Sequence, residues 1–261
     1  ITNNRAPRSK QGPSLTLLES PWQLALTCVV ALAASTLGGL SGFGTGLVLP
    51  VFLVPLVGVA NVIPVMAVAM LLNNGSRILA FWQDIQWRQV RRMLVLGLPA
   101  CVAGAYSYTL LSARWIAVLL GTFLLLSVPL RRLLRRAQLR MSPAAEIAAG
   151  ASFGFINGGM TGTGVILISV LMSVGLTGSA IVATDAVISV VMGIAKVLLF
   201  SSLAALSLEL ALIGLLVGLF TAPGAFLARA LLKRMPAGIH AWLMEAVVVA
   251  GAVALLWQAA R

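Results

Sequence analysis

A glycine-rich run placed twice inside apolar sequence constrains this chain more than any other feature. Gly38-Gly39-Leu40-Ser41-Gly42-Phe43-Gly44-Thr45-Gly46 returns in shortened form as Gly158-Gly159-Met160-Thr161-Gly162-Thr163-Gly164, its Gly-Thr-Gly core 118 positions on. In hydrocarbon an unpaired N–H or C=O is costly, so irregular chain persists at membrane depth only where protein buries it or where it lines a wet cavity. Two such interruptions at matching places in two halves of a chain point to a solute-binding site between them.

The composition puts the chain in hydrocarbon. Of its 261 residues 60% are hydrophobic and 9% charged, and the mean hydropathy is +1.05, whereas soluble domains carry about 25% charged residues. Apolar runs fall at about 22–38, 47–58, 60–82, 93–111, 115–130, 144–156, 164–175, 179–200, 209–228 and 239–258. A crossing takes roughly 17–25 residues, so the runs at 47–58 and 164–175, which follow the two breaks, are too short to be ordinary spans.

The formal charge of +12 does not indicate nucleic acid binding, because the basic residues lie in short connections without interleaved aromatics. Arg131, Arg132, Arg135, Arg136 and Arg140 form the densest group and read as a cytoplasmic anchor. The tryptophans near segment ends fit an interfacial belt. Cys28 and Cys101 show no paired spacing, and no His, Cys or acidic cluster has the spacing of a metal site. No Walker motif, clustered His or paired acids support catalysis, so neither an enzyme nor a cofactor is expected. Arg5, Arg8 and Lys10 before an apolar run resemble a secretory signal, but the equivalent run at 144–156 is retained deep in the chain, so an opening helix is the simpler reading.

The halves superpose at an offset of 118: Gly44 to Leu49 overlies Gly162 to Leu167, Gly75 falls on Gly193, and Gly104-Ala105-Tyr106 resembles Gly224-Ala225-Phe226 after a shift of two. The expected fold is an all-α polytopic membrane protein of two five-segment repeats, each with a Gly-rich broken or re-entrant helix. The expected division is a loose tail at 1–20, a first repeat at 21–130, a basic linker at 131–143 and a second repeat at 144–261. Arg88, Arg91 and Arg92 follow the third segment of the first repeat, where the second has no Lys or Arg, and Arg229, Lys233 and Arg234 follow the fourth segment of the second, where the first has only Arg114. That exchange predicts inverted repeats. Counting the short segments as re-entrant gives parallel ones instead.

In each break, N–H groups unencumbered by side chains can curl around an anion, and the short helix that follows points its positive end at the same place. Gly44, Thr45 and Gly46 with Ser41, and Gly162, Thr163 and Gly164 with Thr161 and Asn157, are the candidate donors. Glycine also permits close helix packing, which is the structural alternative. Arg77 and Lys196 occupy nearly corresponding places on the third helices, either as anion ligands or as anchors snorkelling to headgroups. Asn73 and Asn74 precede Arg77, and Asn73 with Arg77 is expected to face inward. Asp185 lies in an apolar helical run, with Ser189, Met192 and Lys196 following at helical spacing on one face. It is a candidate proton carrier, a partner for Lys196, or a hydrogen-bond acceptor from another helix. Glu146 and Glu209 read as partners of helix N-termini.

At these residues the chain resembles the TauE/SafE sulfite exporter family of bacterial membrane permeases. The resemblance rests on Gly38 to Gly46 followed by Leu49-Pro50, and on the second copy through Gly164 followed by Ala183-Thr184; it spans residues 22–258. It implies secondary transport of a small anion such as sulfite, thiosulfate, sulfoacetate or another sulfonate across a bacterial inner membrane. The second copy lacks the Pro that follows the first. An anion channel using the same donors and an accessory subunit remain as other classes. The expected partners are a small anion and lipid, and a homodimer is compatible with the sequence although no segment specifies one.

Overall fold

The computed structural model describes residues 21–39, 45–137 and 141–232, and in the last segment 246, 249–250, 252–257 and 259–260. Every regular element among them is helical. The expected tail at 1–20 and the candidate donors Ser41 and Gly44 lie outside the described residues.

The first half holds α1 (Pro21–Gly39), α2 (Thr45–Val57), α3 (Val62–Phe81), α4 (Trp87–Thr109) and α5 (Ala113–Ala137); the second holds α6 (Pro143–Gly159), α7 (Gly164–Ser173), α8 (Gly178–Ser202) and α9 (Leu208–Leu232). Helical pieces from residue 246 onward continue it. The start of α6 shows how local chemistry sets a boundary. Ser142 accepts a hydrogen bond from the Ala145 amide, Pro143 sits where no N–H is needed, and Glu146 lies in the first turn. Of the apolar segments expected from sequence, the tenth, at 239–258, lies only in part among the described residues, and the first nine match these helices with one difference. α5 continues to Ala137, because Leu133 and its neighbours keep helix-forming sequence, so most of the stretch expected as a basic linker is helical.

Residues Val59–Asp84, which include α3, and α8 are long and apolar enough to cross a bilayer. With 13 and 10 residues, α2 and α7 reach only about 20 and 15 Å, short of a hydrocarbon core of roughly 30 Å.

The two halves interleave. The most extensive helix contacts are those of α4 with α6, α1 with α9, α3 with α8, and α3 with α9, and three of these four join helices at different places in the two halves. α4 and α6 run parallel and touch backbone to backbone: Gly150 meets Met93, Gly154 meets Gly97, and Gly158 meets Cys101. Such an approach exists only because these positions lack a Cβ, and it maximises dispersion contact where burial from water supplies no drive. α3 and α8 run antiparallel, with Arg77 beside Asp185 and Leu71 beside Gly193. The buried apolar residues form two clusters, one centred on α2, α3, α5 and α9 and the other on α4, α6, α7 and α8.

Two glycines separate close packing from mere helix content. A methyl group at Gly154 would collide with the Gly97 carbonyl, whereas one at Gly75 meets nothing within 4 Å. Gly154→Ala is therefore expected to cost about 1–3 kcal/mol, and Gly75→Ala to be neutral or stabilising by up to about 1 kcal/mol. Thermal unfolding of the two variants in detergent checks the contrast.

Candidate functional site

The two glycine breaks meet. A methyl group placed on Gly46 at the start of α2 would stand 2.9 Å from both Cα and N of Gly162. The Thr161 hydroxyl donates to the Gly46 carbonyl at 3.0 Å. Gly162 adopts φ +77°, a left-handed conformation that L side chains adopt only at a steric cost. That turn leads into α7, whose first backbone bonds run from the Ile166 and Leu167 amides to the Thr163 carbonyl. The amides ahead of them, at the positive end of the helix, have no carbonyl within the helix to bond.

Beneath this contact lies a cavity of about 90 Å³, several times the roughly 10–15 Å³ that a single water requires. Thr45, Gly46, Asn73, Asn74, Arg77, Asn157, Thr161, Gly162, Thr163, Gly164, Lys196 and Asp185 all line it. These are all the candidate residues that fall among the described ones.

Two cations and one carboxylate face this space. Arg77 Nη1 donates to Asp185 Oδ2 at 3.0 Å and to Asn74 Oδ1 at 3.2 Å. The side chains of the ion pair are 15% and 4% exposed. Asp185 Oδ1 is buried with no partner among the described residues. Lys196 Nζ donates to the Asn157 carbonyl at 3.1 Å, and no carboxylate among the described residues pairs with it. The pairing of Asp185 with Lys196 that the shared helix face suggested does not form. On one helix the two are about 16 Å apart, and the antiparallel crossing brings Arg77 to the carboxylate instead. Asp185 therefore accepts from a cation rather than from a backbone amide of another helix. Nor are the two cations snorkelling anchors, since both side chains turn into the cavity.

Asn157 organises the second break. Its Oδ1 accepts from the Thr163 hydroxyl at 2.8 Å and its carbonyl from Lys196, while its amide nitrogen points at the Met192 and Cys101 sulfurs at 3.5 and 3.9 Å. Met192, expected on the cavity face of α8, thus lies behind Asn157, and Gly193 lines the cavity in its place. Glu146 is buried in the first turn of α6 and also pairs with Arg92 at 3.0 Å, which ties α6 to α4 away from the cavity.

Ser189, on the same helix face as Asp185 and Lys196, lines the cavity as expected, and Ile63, Met66, Ala67, Met70 and Met160 complete the lining without having been singled out as site residues by the sequence. A signal was present: positions 63, 66, 67, 70, 73, 74 and 77 form one helical stripe ending at Arg77. Among the described residues no group of three His, Cys, Asp or Glu could hold a metal ion.

The ion pair gives a test of its own. Removing one partner leaves a buried charge uncompensated, so Arg77→Met is expected to destabilise by roughly 3–5 kcal/mol, while the double variant Arg77→Met/Asp185→Asn recovers much of the loss. A double-mutant cycle on thermal stability reads both.

The model of the sulfite exporter TauE/SafE family matches residues 27–255, most of the chain. No curated protein matches it, and no solved structure does. The chain belongs to the sulfite exporter TauE/SafE family, a family of membrane transporters rather than enzymes.

Proposed function

We propose that this member of the sulfite exporter family is a secondary transporter for a small sulfur-containing anion, and that the cavity between the two breaks is its binding site. The observation that carries the reading is Lys196: a part-buried ammonium directed at a polar cavity with, among the described residues, only a backbone carbonyl as its hydrogen-bond partner. A charge in low-dielectric surroundings calls for a counter-ion, and a bound anion supplies one. The Thr45 hydroxyl, the Asn73 and Asn74 amides and the backbone of Gly46, Gly162 and Gly164 surround the same space as neutral donors, and the Thr161 and Thr163 hydroxyls and the Asn157 amide join them on exchanging their present bonds, to the Gly46 carbonyl, Asn157 Oδ1 and the Met192 and Cys101 sulfurs, for the substrate. Ser41 and Gly44 are assigned to the same group from their place in the first break.

Asp185 is the proposed coupling group. While ionised it holds Arg77 and leaves the cavity with a single uncompensated positive charge. A proton on its unpartnered Oδ1 would release Arg77 to the substrate, so anion binding and proton binding favour each other. In this scheme substrate and proton move together through the inner membrane.

Inverted repeats are the proposed organisation. In their support, the corresponding helices α3 and α8 cross antiparallel, as equivalent helices do when the two-fold axis lies in the membrane plane, and the pairing of α4 with α6 is answered by that of α9 with α1.

Flux of radiolabelled sulfite, thiosulfate and a short alkylsulfonate into proteoliposomes tests the site. Lys196→Met is expected to lower flux about tenfold or more, in line with loss of a charged hydrogen bond worth about 1.5–3 kcal/mol. Thr45→Val/Thr163→Val is expected to weaken apparent affinity. Asp185→Asn is expected to remove the response to a pH gradient. Unchanged flux and affinity in the first two variants would exclude this cavity as the site, and non-saturating flux indifferent to the gradient in the parent protein would indicate a channel.

A further inference from the structure

We infer that the bodies moving against each other during transport are two lobes assembled across the sequence repeats, with α1, α2, α3 and α9 in one and α4, α6, α7 and α8 in the other. The inference rests on the transport reading for its purpose, and on packing for its geometry.

Each lobe is joined by contacts that leave no room for sliding. In the first, Ser35 Oγ donates to the Thr221 carbonyl, which fixes α1 to α9. Methyl groups at Gly214 and Gly218 of α9 would stand 2.7 Å from Val68 Cβ and 2.9 Å from the Ala69 carbonyl oxygen of α3. In the second, α4 and α6 touch backbone to backbone, Arg92 pairs with Glu146, and Asn157 bridges to Cys101 on α4 and Met192 on α8. If each repeat moved as a body, α4 would have to slide along α6 and α1 along α9. Packed surfaces of this kind do not deform continuously.

The cavity runs along the seam between the lobes, where α3 faces α8; the Gly46–Gly162 approach and the bond from Thr161 to the Gly46 carbonyl cross the same seam beside the cavity and form its fulcrum, and different chemistry closes the seam at its two ends. At one end Arg77 of α3 pairs with Asp185 of α8. At the other, the Tyr108 hydroxyl of α4 donates to the Val59 and Ala60 carbonyls ahead of α3, and its ring packs edge-on against Phe200 of α8. Along α3 these closures are roughly 25 Å apart, with the cavity between them. Rocking about the middle of the seam parts one closure while the other holds, and a proton on Asp185 or an anion competing for Arg77 loosens the polar one. The chain passes from lobe to lobe at Trp82–Gln86 and at Leu203–Ser207, corresponding places in the two halves and the natural hinges.

Crosslinking separates the two sets of bodies, in a background with Cys28→Ala and Cys101→Ala. Leu71→Cys/Ile194→Cys, the second position one residue on from Gly193 and outside the cavity lining, spans the seam, whereas Arg92→Cys/Glu146→Cys joins different repeats within one lobe. With a bis-methanethiosulfonate crosslinker, sulfite flux is expected to fall at least tenfold in the first variant, to return on reduction, and to persist in the second. Flux lost in the second and kept in the first would overturn the assignment. Spin labels supply a readout independent of flux. On introducing Asp185→Asn, the distance between labels at Leu79→Cys and Val95→Cys (same repeat, different lobes) is expected to shift by several ångströms, while that between Trp22→Cys and Leu219→Cys (different repeats, same lobe) stays fixed. The reverse pattern, or no shift in either, overturns the lobes. Should the reduced proteins and the parent move no sulfite, the transport reading fails on its own and the label distances still decide the bodies.

Discussion

Gly46 and Gly162 approach so closely that a methyl group on the first would stand 2.9 Å from the Cα of the second, and the rest of the site takes its shape from that approach. Two helices too short to cross a bilayer begin there, and where their N-termini converge the chain has amide donors that helix geometry leaves unused. Within apolar surroundings such groups need partners. The acceptors of the breaks find partners inside the protein, as when Thr161 donates to the Gly46 carbonyl and Thr163 to Asn157 Oδ1. The break residues also line a polar cavity, the place proposed above for a small anion.

Charge divides between the two ends of that cavity. Arg77 and Lys196 stand at nearly equivalent places in the two halves, but of their two helices only α8 carries an acid, and across the antiparallel seam that acid meets the arginine of α3. The two cations therefore have unequal surroundings: Arg77 is paired with Asp185, while Lys196 bonds the Asn157 carbonyl and has no carboxylate partner among the described residues.

Packing of the helices follows the same logic of absent side chains. Gly97, Gly104, Gly150, Gly154 and Gly158 let α4 and α6 meet at backbone distance, which in lipid replaces the hydrophobic drive available to soluble proteins. The buried pair of Arg92 and Glu146 then ties their starts together. Rigid contact in one place and a polar, partly open seam in another is the combination a moving transporter needs.

Helix content, the short segments after the glycine breaks and most of the candidate polar residues were legible in the sequence, because each depends on local quantities: apolar run length, helical spacing, and the rarity of charge among apolar residues. The family followed from the same motif and its repetition. Partners were not legible. Spacing along α8 put Asp185 and Lys196 on one face, yet helical rise keeps them apart, and only the antiparallel crossing of α3 and α8 assigns Asp185 to Arg77 and Lys196 to the Asn157 carbonyl. The interleaving of the halves is likewise a property of the folded chain. Repetition in sequence reports ancestry, whereas which helices touch is decided by which surfaces lack a Cβ and fit together in three dimensions.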